Sequence, residues 1–272
     1  FRIRPRSFGR YSIGERNFVA VESEEILVSS DSLPHKDYIK ARELDLTVEI
    51  LHNGRIHSEV VGICDFYGLS WFDDIIMPFY HKRHEFSDEI SKMYHDFIEG
   101  TSDRLWNTEE ELVDYVSGDI DRLLVDERGT NEMSTGKSTA FFTLFEEINE
   151  ALFSILSEKM LKNDNYGSWM SKYLNEIKYY SLIRKRNLFL QEDEISALFS
   201  FDINLIERSG YNISEKDARL LKPQRFSLVH NSMQKDLIGQ YAKEFGATVD
   251  GLGKMLMRYP YIHRLFRFSK AI

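Results

Sequence analysis

One cysteine, Cys64, stands in a chain of 272 residues. A single thiol excludes an internal disulfide framework, a cysteine-rich metal site and an iron–sulfur cluster held by this chain's own cysteines. Cys64 closes the apolar stretch Val60-Val61-Gly62-Ile63-Cys64, with nothing adjacent to lower its pKa, so it is expected to be a core residue and not a reactive thiol. Long hydrophobic runs are also missing: none approaches the roughly 20 residues of a membrane span. Positive charge is in deficit, with 35 Lys and Arg against 44 Asp and Glu, a net charge of −9. That balance disfavours nonspecific binding to nucleic acid or to anionic membranes, and a cytoplasmic protein with neither partner is expected. Internal repeats and low-complexity linkers are absent. The chain starts at Phe1, and its basic opening of Arg2, Arg4, Arg6 and Arg10 does not read as a signal peptide, so a piece of a longer polypeptide is expected.

What is present is aromatic and helical. With 19 Phe and 14 Tyr the chain can bury a real core, as one large domain or two small ones. Residues 1–30 alternate as a β-rich junction, and residues 21–53 read as strand, polar turn and amphipathic helix, with Pro34 near the first helical turn. The helix over 34–53 stops at Asn53-Gly54. Further helices are expected at 57–66, from Ser70 to a kink or break at Pro78, and through Ile90–Phe97 to a stop at Gly100. Others follow from Asn107 along the stripe Leu112, Val116, Ile120, Leu123 and Leu124, and from Phe141 to Met160 with a break at 163–165. The last of this series runs over 168–185. Residues 129–136 read as a loop. Residues 193–199 read as a short helix, 201–208 as strand or helix, and 225–230 as a strand. Helices over 234–245 and 249–258 follow. The expected fold class is mainly α: a helical array with a short N-terminal β hairpin or meander and a small α/β C-terminal segment. A β-rich junction over 1–30, a helical region over 31–190 and a mixed segment over 191–272 are expected to form one compact unit.

Candidate chemistry is sparse. Gly136-Lys137-Ser138 before a helix resembles the end of a phosphate loop, but Asn131 stands where the first glycine belongs and no strand precedes it, so a helix-starting loop is the better reading. His81 and His84, with Glu85 adjacent and His95 further on, have helical spacing that can present two imidazoles to one metal. Lys82 and Arg83 intervene and no third ligand is fixed, which favours a solvated charged face. The basic, aromatic end, with Arg258, Tyr259, Tyr261, His263, Arg264, Phe266, Arg267, Phe268 and Lys270, reads as a terminal segment docked by its rings. No catalytic, cofactor-binding or metal residue is assigned.

Three stretches carry a resemblance: Arg2-Ile3-Arg4-Pro5-Arg6-Ser7-Phe8-Gly9; Val21-Glu22-Ser23-Glu24-Glu25-Ile26-Leu27-Val28-Ser29-Ser30; and Leu33-Pro34-His35-Lys36-Asp37-Tyr38 with Lys40-Ala41-Arg42-Glu43-Leu44. Together they resemble the segment that follows the catalytic barrel in radical-SAM enzymes with an N-terminal cobalamin-binding domain. Phe226-Ser227-Leu228-Val229-His230, then Tyr241 to Gly246 and Leu252 to Arg258, look like the tail of the same enzymes. The resemblance implies an upstream barrel on the same polypeptide that holds a [4Fe–4S] cluster and S-adenosylmethionine, and a cobalamin domain before it. The cluster motif Cys-x-x-x-Cys-x-x-Cys has no counterpart here, so no cofactor is expected in this chain. It would be an accessory region that packs on the barrel and is not catalytic alone. The rival expectation is a stand-alone helical protein-interaction or regulatory module, and a distant third is a metal-dependent helical enzyme built on His81, His84 and Glu85.

Overall fold

The computed structural model describes residues 1–118, 120, 131–162, 167–189, 194–259 and 261–272. The chain opens with a long antiparallel hairpin, β1 (Arg2–Ile13) and β2 (Arg16–Ile26). Gly14, at φ +60°, supplies the left-handed backbone that the two-residue turn needs. The register shifts between Pro5 and Ser7, where proline contributes no ladder donor. Ile3 exchanges two backbone hydrogen bonds of 2.8 Å with Trp106. Ile3, Phe8, Val19 and Val21 lie on Leu112 and Val116 of α5 (Glu109–Gly118), which anchors the hairpin. Leu123 and Leu124, expected on the same stripe, lie outside the described residues.

The body is helical, as its 3.6-residue periodicity implies. It comprises α1 (His35–Val48), α2 (Ser58–Tyr67), α3 (Met77–Lys82), α4 (Asp88–Asp103), α6 (Glu132–Ser138), α7 (Phe145–Leu161) and α8 (Ser168–Lys185). Among the described residues three wide π-helical turns interrupt the α pattern: Glu49–Asn53 after α1, Trp71–Ile76 before α3, and Thr139–Thr143 after α6. The disturbance expected at Pro78 therefore takes the form of a π turn just before it, with the proline in the first turn of α3, where its missing N–H is harmless. Gly68, at φ +69°, ends α2 in the left-handed conformation, and the Leu69 N–H reaches back to the Cys64 carbonyl at 2.9 Å. Gly100 does not stop α4, which runs on to Asp103 because a glycine in a packed helix costs only about 1 kcal/mol. The loop expected over 129–136 is helical from Glu132, with the Asn131 side chain accepting from the Met133 and Ser134 N–H groups. Residues 129–130 and the break expected at 163–165 lie outside the described residues.

Helix α7 is the spine of the main core, burying Ile148, Leu152, Ile155 and Leu156 against α2, α3 and α8. A three-stranded antiparallel sheet completes it, in the order β3 (Ile195–Phe201), β4 (Arg219–Val229), β5 (Phe268–Ala271). The short helix expected over 193–199 is strand β3 from Ile195. Ala197, Phe199 and Phe201 alternate inward, and pairing with β4 turns an ambiguous apolar run into an extended one. Phe201 and Tyr173 of α8 meet edge to face at 5.1 Å. The ambiguous 201–208 resolves into α9 (Ile203–Arg208), capped by Asp202, and the small α10 (Glu215–Ala218) leads into β4. Helices α11 (Ser232–Phe245) and α12 (Val249–Arg258) follow, α11 opened by a capping box between Asn231 and Gln234. They form a second apolar cluster in which Ile238, Tyr241, Met255 and Leu256 meet Phe141, Phe145 and Phe266. The architecture is mainly α, with twelve helices among the described residues, an N-terminal hairpin and a C-terminal three-stranded sheet.

Candidate functional site

The seam between the two apolar clusters holds a cavity of about 230 Å³. Two of the three π turns build its walls: Glu49, Ile50 and Asn53 come from one, Ala140 and Phe141 from the other. A π turn inserts one residue into the helical register and re-aims the side chains that follow, and such turns recur at functional sites. Leu256 and Ile262 close the side formed by the C-terminal cluster. Between the first π turn and α2 the chain turns sharply, with Arg55 at φ +51°, and this turn brings His57 into the cavity wall. The imidazole stacks on Phe145 with ring centroids 5.9 Å apart and planes 12° apart.

His57 is 3% exposed and its Nδ1 has no hydrogen-bond partner among the described residues. Burial, helped by the nearby Lys185 ammonium, holds it well below the ordinary imidazole pKa, so it is neutral at pH 7, with one donor and one acceptor nitrogen. At the rim, Lys137 pairs with Glu49 at 2.7 Å, and Asn53 donates to the same carboxylate. Burial pushes the Glu49 carboxyl up, but the hydrogen bond and charge of Lys137, with Asn53, outweigh it and hold the group below its usual range.

Behind His57 lies a buried ion network. Lys185 and Glu59 form a fully buried pair. The Lys185 Nζ also donates to the Ile56 carbonyl at 2.5 Å and to Ser181 Oγ at 3.0 Å, which uses all three of its donors. Burial nevertheless pushes the ammonium down to about 8, against the pull of Glu59. Arg184 extends the network, donating to the Tyr211 hydroxyl at 2.8 Å and pairing with Glu207 at 2.5 Å. Arg267, with no exposed surface, places its guanidinium on the carbonyls of Ile183 and Arg186 at the end of α8.

The residues singled out in the sequence have other places. His81 lies against Tyr80, whereas His84 meets His95 at 5.1 Å and Ser91 Oγ at 3.0 Å. The nearest buried carboxylate, Glu43, is gripped through both oxygens by Arg83 at 3.2 and 2.8 Å, and His84 Nε2 lies 3.8 Å from one of those oxygens. Among the described residues no group of three or more His, Cys, Asp or Glu is arranged to hold a metal. Cys64 is fully buried and its thiol is pushed up to about 12 by burial and by Asp65 and Asp74, which makes it an unreactive core residue. Lys137 belongs to α6 and is committed to Glu49. Of the basic end, Arg258 pairs with Glu244 at 3.0 Å, Tyr259 stacks on Tyr241 at 4.6 Å and Phe266 is buried. His57 and Ile56 were not singled out in the sequence, because a lone histidine beside a glycine turn carries no spacing signal.

No family model, no curated protein and no solved structure matches this chain. Among the described residues no helix is long and apolar enough to cross a membrane.

The buried imidazole of His57 and the half-buried one of His230 have a consequence for pH. His57 is held well below 6.5, and His230 is held down to about 4 by burial and by Arg267, while in the unfolded chain both titrate near 6.5. Between pH 6.5 and 4 the unfolded state therefore binds more protons, and stability is lost as pH falls through that window. His57 contributes a slope of at most about 1.4 kcal/mol per pH unit, and the half-buried His230, screened by solvent, contributes less. Urea midpoints measured at about pH 7, 5.5 and 4.5 should decline steadily, and His57→Phe should flatten part of the decline. A profile level down to about pH 4.5 would contradict the neutral, buried state of His57.

Proposed function

We propose that this chain is the C-terminal accessory region of a cobalamin-dependent radical-SAM enzyme, which packs on the upstream catalytic barrel of the same polypeptide and is not catalytic alone. One observation carries the reading beyond the sequence resemblance: the hairpin presents an apolar and basic surface to solvent. Phe1 and Ile13 are 70% and 72% exposed, and Tyr11 and Phe18 stack on each other at 5.9 Å on the outside. Arg2, Arg6, Arg10 and Arg16 are exposed around them. Tyr11, Ile13 and Phe18 gather near the tip of the arm and Phe1 lies at its open end, and large exposed apolar side chains along one arm suit a docking surface better than an ordinary solvated one. The segment most similar to the barrel-to-tail junction, residues 2–53, is the segment that forms this arm and the helix behind it. The [4Fe–4S] cluster, S-adenosylmethionine and cobalamin implied by the resemblance belong to the upstream part, since the one thiol here is buried and inert.

Hydrogen exchange tests the proposal. Amides at the β1–β2 tip should exchange at least about tenfold more slowly in the longer polypeptide that carries the barrel than in this chain alone. Equal rates in both would overturn it. The rival reading, a stand-alone interaction module, draws on the same exposed arm. It expects a stable oligomer, seen by light scattering, with the arm already protected in the isolated chain.

A further inference from the structure

We propose that the cavity behind the two π turns is a binding site for a small, uncharged, planar aromatic molecule of about two fused rings that bears one hydrogen-bonding group, with His57 as the residue that reads that group. The inference goes beyond the docking role and does not depend on it.

Size is the first argument. An apolar cavity of about 150 Å³ accepts benzene, so a volume of about 230 Å³ suits a bicyclic ring system and is too small for a nucleotide or a long acyl chain. The shape of the walls is the second. Ile50, Ile56, Ala140, Phe141, Phe145 and Leu256 present apolar surface, and Phe145 is already engaged in a ring stack with His57. Such surroundings favour flat apolar ligands.

Polarity is the third argument, and it fixes the ligand class. The two charged side chains of the cavity wall are paired, Lys137 with Glu49, and Asn53 donates to the same carboxylate. A charged ligand would have to break that ion pair and bring its own charge out of water, so an uncharged one is favoured. His57 differs from these groups. It is a polar side chain, 3% exposed, that makes no side-chain hydrogen bond among the described residues. Nδ1 is sealed off from any void, so the nitrogen open to a ligand is Nε2, which has no partner among the described residues and gains when a ligand supplies one. A neutral imidazole can accept from an aromatic N–H or phenolic O–H, and discrimination by such a bond exceeds what apolar contact provides.

Indole is the probe, and benzothiophene, of the same shape without the N–H, is its control. Titrated into the full chain by isothermal calorimetry, indole should bind with a Kd below about 1 mM and about tenfold more tightly than benzothiophene. Intermolecular NOEs should link the indole protons to the methyl groups of Ile50, Ile56 and Ile262. His57→Phe keeps the stack with Phe145 and should abolish the preference for indole. Ala140→Leu fills the cavity and should eliminate both ligands. Should Ala140→Leu fail to fold, the NOEs in the parent protein still locate the ligand. The proposal is overturned by absence of binding at millimolar indole, by equal affinity for the two ligands, by a preference that survives His57→Phe, or by NOEs to methyls outside the cavity.

Discussion

Replacing Lys185 with Met should destabilise the protein by about 3–5 kcal/mol, read as a lowered urea midpoint with an unchanged slope. The size follows from what the substitution leaves behind. Glu59 has no exposed surface, and its other contacts, the Tyr211 hydroxyl at 3.4 Å and Arg184 at 3.6 Å, are too long to replace a close ammonium. The Ile56 carbonyl and Ser181 Oγ lose a donor at the same time. The space itself tolerates methionine well, because the ammonium already lies 5.2 Å from the Phe266 ring centroid and 5.7 Å from that of Phe145. The cost is therefore that of a stranded carboxylate, not of a cavity. Lys185→Met combined with Glu59→Gln should recover at least half of the loss, and such strong coupling is the signature of a buried pair. A single Lys185→Met variant within about 1 kcal/mol of the parent would show that Glu59 finds water or takes up a proton instead.

Gly62→Ala should cost about 3 kcal/mol or more, whereas Gly100→Ala should be neutral or slightly stabilising. Both glycines are helical, and alanine is the better helix former in each place, so propensity alone predicts a gain of up to about 1 kcal/mol at both. Packing reverses the sign at one of them. A Cβ on Gly62 would lie 2.0 Å from the Gly210 carbonyl oxygen and 2.8 Å from Tyr211 Cβ, whereas on Gly100 its nearest neighbour is Glu132 Cβ at an ordinary 3.5 Å. The obstructing oxygen cannot swing aside easily. Gly210 and Tyr211 sit at φ +66° and +63°, held by N–H bonds to the carbonyls of Glu207 and Ile206 at 3.0 and 2.9 Å. Thermal melts of the two variants in parallel separate the effects, and similar melting temperatures would mean that α2 and the turn after α9 can part without penalty.

These two tests fall on different sides of what a reader of the sequence could foresee. Helices α1, α7 and α8 are legible, because a wide apolar stripe at helical spacing has few other uses. The hairpin is legible from alternation around Gly14. Strand β3 is not: Ile195 to Phe201 is too short for its period to decide between strand and helix, and its partner β4 begins 18 residues after β3 ends, at Arg219. The helical start at Glu132 hides behind a glycine and small polar residues that resemble a loop. Cys64 reads correctly as core, since an apolar neighbourhood predicts both burial and an unreactive thiol. The cavity is illegible for a physical reason. Its walls come from stretches within 49–57 and 137–145 and from Leu256 and Ile262, and its shape depends on π turns, which leave no compositional trace. Gly62 illustrates the same limit, for its role is set by a carbonyl 148 positions away.

The placement of Arg267 bears on the order in which the molecule assembles. The last carbonyls of α8 receive their donors from a side chain 84 and 81 positions further on. Without that arginine the final turn of α8 lacks these donors and is expected to fray, which would loosen Lys185, on that same turn, beside Glu59. Local helix formation takes microseconds, but closing a loop of this length is slow and entropically opposed. The end of α8 is therefore expected to consolidate late in folding. Mutations at Arg267 should mainly accelerate unfolding and leave the folding rate almost unchanged, which makes this one residue a control point for how long the native state lasts.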